Sequence, residues 1–175
     1  MASTPPGRAG RTCTAAVDVT NLYDRHRPTL ERALDACARR HSWTAFPESP
    51  SSKIHGEEKP ALGRARFEAM LGSDYPLHQP GEAGRTGAEV SPYTGEALGI
   101  TYPKMAVDTL FGAIVDAMPA WRAASPETRI GICLEILDRC AGQLFENAHA
   151  TMHTSGQSYI MAFAGSGANA LDRGL

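Results

Sequence analysis

The residues Ile130, Leu134, Leu137, Ala141, Leu144 and Ala148 recur at helical spacing for about five turns, and this stripe constrains the chain more than any other feature. A helix with one apolar face needs a surface that covers it. Its start is written in Ser125-Pro126-Glu127: a hydroxyl that can cap, a proline whose missing N–H costs nothing at the first helical position, and an acid that favours the helix dipole. The same periodicity predicts a helix over 28–40, with Leu30, Ala33, Leu34 and Cys37 on one face and Pro28 in its first turn. It predicts further helices over 61–71, closed by Gly72, and over 107–121, where Val107, Leu110, Phe111, Ile114, Met118 and Trp121 share a face and Pro119 kinks the last turn. The stretch 151–163 is again apolar, broken by Gly156.

Between these helices the chain punctuates itself. Residues 41–60 scatter Trp43, Phe46 and Ile54 among Pro47, Pro50 and Gly56, the composition of an ordered loop anchored by its aromatics. Residues 73–87 cluster Pro76, Pro80, Gly81, Gly84 and Gly87, which reads as a surface linker with a boundary near Gly84. Short strands over 89–91 and 98–102 flank Pro92-Tyr93-Thr94-Gly95, a tight reversal. The expected fold is mainly α with a small β-hairpin. The expected organisation is a disordered leader over 1–20, an N-terminal helical extension with ordered loops over 21–84, and a further part over 85–175.

Composition narrows the chemistry. A formal net charge of -2 and the absence of any block of like charges exclude a nucleic-acid footprint and a polybasic membrane surface. No apolar run reaches the ~18 residues that span a bilayer, and no secretory h-region precedes the first helix, so a cytoplasmic location is expected. Lysine occurs only at Lys53, Lys59 and Lys104, a bias towards arginine that reads as composition and not as an anion site. Cys13, Cys37, Cys133 and Cys140 show no paired spacing; three lie on apolar helix faces, where packing explains them better than catalysis.

Gly165-Ser166-Gly167-Ala168-Asn169-Ala170 has the spacing of a dinucleotide fingerprint, but such a site needs a strand before it, a helix N-terminus after it and an acid on a second strand. His149 and His153 are four apart and share a helix face, yet lack a third metal ligand. Glu48, Glu57, Glu58, Glu89 and Glu96 all fall in loops or turns, and no paired-carboxylate arrangement emerges. The residues therefore assign no catalytic, cofactor-binding or metal site within the chain.

From Ser91 to Met161 the chain resembles the N-terminal part of the aldehyde dehydrogenase superfamily. The landmarks are Ser91-Pro92-Tyr93-Thr94-Gly95-Glu96, Ala120-Trp121, Ser125 with Arg129, the leucine stripe and Thr154-Ser155-Gly156-Gln157. Further motifs look like the phenylacetic acid degradation aldehyde dehydrogenases of the PaaN type. These are Asp24-Arg25-His26-Arg27, Phe46-Pro47-Glu48-Ser49-Pro50-Ser51, Glu89-Val90, Met152-His153 and Asp172-Arg173-Gly174-Leu175.

The resemblance implies a partial N-terminal segment of an α/β aldehyde dehydrogenase-like fold. It implies a parent that oxidises an aldehyde or ring-opened semialdehyde to the acid with NAD or NADP, through a cysteine thiolate, an oxyanion-binding Asn and a Glu-assisted water. It places those residues and the cofactor turn beyond Leu175, so this chain is expected to hold no cofactor and to be inactive alone. The implied partner is the remainder of the parent chain, and the family fold allows a homo-oligomer. The alternative is a standalone helical protein-interaction module that uses its exposed apolar faces.

Overall fold

The computed structural model describes residues 19–77, 79 and 81–175. The leader expected over 1–20 lies, apart from Val19 and Thr20, outside the described residues, as does Cys13. The described chain is mostly helical with one two-stranded antiparallel sheet.

Helix α1 runs Leu22–Arg39 and begins well before Pro28, which lies inside it. This corrects the expected start at Pro28. A proline removes one backbone donor and strains the turn before it, but that turn is held from outside, because Leu22 is buried and the side chains of Arg25 and His26 bond to Glu135 of a later helix. The buried face of α1 accordingly carries Leu22 and Ala36, whereas Leu34 and Cys37 are exposed.

A one-turn helix, α2 (Ser52–His55), interrupts the long loop, with Ser51 accepting from the Lys53 N–H. The loop is anchored by His55, edge-on to Phe145 and Phe163 at 5.3 and 5.4 Å, while Ile54 is exposed. Helix α3 follows at Lys59–Glu68 with Ala69 as its right-handed C-cap, earlier than the expected end at Gly72, which takes its left-handed φ of +67° in the turn beyond.

The sheet pairs β1 (Glu82–Thr86) with β2 (Tyr102–Met105), in the register Glu82↔Met105 and Thr86↔Tyr102, with an irregularity between Glu82 and Arg85. The hairpin exists, but its strands lie outside the expected ones; over 89–91 and 98–102 the inner pairing is one bridge, Val90↔Ala97. Gly99 explains this, because its φ of +64° breaks an extended strand and turns Leu98 and Ile100 onto Phe67. The segment read as a linker thus contains a strand, organised by Arg85. Its guanidinium donates to the carbonyls of Tyr75 (2.7 Å) and Thr101 (2.9 Å) and pairs with Asp74 and Glu82. Gly84, the expected boundary, lies within β1.

Helix α4 (Val107–Ala123) continues through Pro119. The long stripe that follows is divided between two helices, α5 (Pro126–Ala141) and α6 (Leu144–Ser155), with Gly142 and Gln143 between them. The division lets one stripe serve two neighbours: α5 packs on α1 and on α8 (Asn169–Gly174), whereas α6 packs on α3 and on α7 (Tyr159–Phe163). A π-helical turn, 164–168, joins α7 to α8.

Two small cores result. One holds Leu144, Phe145, Ala148, Ala162 and the fully buried Phe163; the other holds Phe67, Leu98 and Ile100, with Ala150 of α6 against it. Each principal helix pair meets at a glycine. A Cβ on Gly63 of α3 would overlap that of Phe145 and stand 2.9 Å from the Glu146 nitrogen, and one on Gly131 of α5 would stand 2.5 Å from the Tyr23 nitrogen of α1.

The same substitution should therefore have opposite signs at two helical glycines. Gly112→Ala in α4, where a Cβ meets nothing within 4 Å, should stabilise by about 1 kcal/mol through helix propensity. Gly63→Ala gains the same propensity but drives α3 off the α6 backbone, so a net loss of about 1–2 kcal/mol is expected. Urea unfolding of both variants checks the pair.

Candidate functional site

Helix α6 presents His149 and His153 on one face, as their spacing requires, and that face lies on Phe67 of α3. The rings stack at centroid distances of 6.1 and 5.1 Å and interplanar angles of 18° and 10°. Beside them is a cavity of about 390 Å³ lined in part by Arg64, Glu68, Leu98 and Met152. Burial, with Arg64 and His153 nearby, pushes the His149 imidazole below its ordinary value.

His153 is further fixed by Ser91, whose Oγ lies 2.8 Å from Nδ1. The serine oxygen also accepts from the N–H groups of Tyr93 (3.2 Å) and Thr94 (3.3 Å). Ser91 is 1% exposed and its hydroxyl is fully engaged. At that burial the serine–histidine pair is closed to a substrate, and it ties the 91–96 turn to α6. The Tyr93 hydroxyl then reaches the carbonyls of Gly156 (3.1 Å) and Gln157 (2.8 Å), which seats the 91–96 turn on the 154–157 turn.

A second cluster joins α1 to α5. Glu135 Oε2 receives Arg25 at 2.7 Å and His26 at 2.8 Å, and Oε1 receives Arg139 at 2.8 Å; Arg25 also lies 3.7 Å from Asp138. The Glu135 side chain is 8% exposed. Hydrogen bonds from Arg139 and His26, and then the charges of Arg25 and Arg139, hold its carboxyl down at about 2 against the opposing effect of burial.

Among the described residues, His26, Glu135 and Asp138 form the one group of three metal-ligand atoms close enough to share an ion, and His149 and His153 belong to no such group. Two arginines already balance the charges of Glu135 and Asp138, however, so the cluster is an ion-pair lock without need of a cation. A cavity of about 420 Å³ opens beside it, with Trp43, Phe46 and Arg32 in its wall. Sequence reasoning missed this lock. The Glu135–Arg139 spacing was legible as a helical pair, but the His26 contact spans 109 residues.

A third contact ties the long loop to the last helix. The carboxylate of Asp172 accepts from the Thr44 hydroxyl and from the N–H groups of Ala45 (3.0 Å) and Phe46 (3.3 Å), and Asn169 donates to Glu48 at 2.9 Å.

The glycine pattern at 165–167 forms no phosphate cradle, because it lies in the π-helical turn with helix on both sides. Gly167 packs there against Leu144, whose Cδ2 would be 2.8 Å from an added Cβ. The described residues do not fit a dinucleotide at this point. The cysteines also depart from expectation: Cys37 and Cys133 are exposed and Cys140 is half-buried, so packing accounts for at most the last.

Comparison with protein-family models finds no match, and comparison with curated proteins finds none. Among solved structures, the crystal structure of an NAD-dependent aldehyde dehydrogenase from Burkholderia multivorans matches 87% of this chain at 45% identity with a TM-score of 0.80. The chain has a partial aldehyde dehydrogenase fold. It spans 27% of that enzyme's length.

Within this segment of aldehyde dehydrogenase-like fold, several of the motifs that carry the resemblance are places where distant elements are tied together. Asp24-Arg25-His26-Arg27 meets Glu135, the loop beginning at Phe46 meets Asn169 and Asp172, and the turn at Ser91 meets His153 to Gln157.

The lock yields a pH dependence. The folded value of Glu135 lies below the ordinary 4.5, so its contribution is complete above about pH 5 and is lost as pH falls towards 2. Glu135→Gln should cost about 1–2 kcal/mol at neutral pH, a figure reduced by the solvent exposure of both arginines. It should also flatten the acid limb of stability between about pH 5 and pH 2, as read by urea midpoints across that range.

Proposed function

We propose that this chain acts as one segment of an NAD(P)-dependent aldehyde dehydrogenase of the PaaN type. The parent would oxidise an aldehyde or semialdehyde of phenylacetate catabolism to the acid in the cytoplasm. The observation that carries the reading is 45% identity over 87% of the chain to an enzyme named as NAD-dependent. The PaaN assignment rests on the motifs at 24–27, 46–51, 89–93, 152–157 and 172–175. Within them the side chains of Arg25, His26, Glu48, Ser91, Tyr93, His153 and Asp172 make long-range ties, so a change at any of these would need a compensating change far along the chain. Among the described residues no helix is long and apolar enough to cross a membrane. The proposed partner is the remainder of the parent fold, and the chain alone is inactive because it contributes packing and no reacting group.

Replacing the matching segment of the Burkholderia multivorans enzyme by residues 19–175 should give a soluble chimera that reduces NAD with an aldehyde. The isolated chain should give no NADH or NADPH with the same aldehydes. A chimera that folds but has lost turnover, or turnover by the chain alone, would refute the assignment.

The exposed apolar face of α4 favours a second reading, the standalone helical interaction module. A reversible, cooperative thermal transition of the purified chain supports it; a loose or aggregating state supports the first.

A further inference from the structure

We draw no further inference here: the strongest candidate, the cavity of about 390 Å³ between α3, α6 and the 94–98 turn, carries nothing, because His153 in its wall already belongs to the Ser91 tie and nothing in the structure shows what would occupy it.

Discussion

The approach of α3 to α6 at Gly63 is the contact on which the rest of the structure depends. With no side chain at that point, the two helix backbones close to near contact, and the faces on either side of α6 reach opposite cores. Phe145 and Ala148 then close on Phe163 and Ala162, while His149, Ala150 and His153 close on Phe67. Gly131 does the same work where α5 crosses α1. A chain with two small cores gains much of its definition from close helix packing, because dispersion falls off steeply with any gap.

Around this frame, polar groups set direction where apolar ones set proximity. Glu135 draws Arg25, His26 and Arg139 to one carboxylate between helices; Arg85 gathers two carbonyls and two acids at the sheet; Asp172 satisfies the N–H groups of a loop that has no ladder of its own. Each tie meets hydrogen-bonding groups that would otherwise be stranded against protein, and no buried side-chain polar atom among the described residues lacks a partner. The histidines that suggested metal chemistry belong to this class: His153 is spent on Ser91, and His149 lies between Phe67 and Tyr159.

The likeness to an aldehyde dehydrogenase gives these ties their setting. The described residues match 27% of that enzyme's length and share its fold over that segment. Within it, helix α4 leaves Val107, Phe111 and Ile114 exposed, an apolar face with no counterpart among the elements described.

Much of this was legible in residue order. The helical period located α3 and α4 to within a few residues, Ser125-Pro126-Glu127 marked the true start of α5 with Ser125 accepting from the Thr128 N–H, and Gly156, read as a break, proved to be the left-handed cap of α6. These are local properties, fixed by backbone sterics and by hydrogen bonds within one turn. What tertiary structure decided was every choice between equivalent local options: that α1 starts at Leu22 in spite of Pro28, that one stripe divides at Gly142, that the strands pair outside Gly99, and that Glu135 is an anchor while Val107 and Phe111 are bare. Those outcomes turn on partners as far as 109 residues away, and hydrophobic period records that a face exists without recording what will cover it.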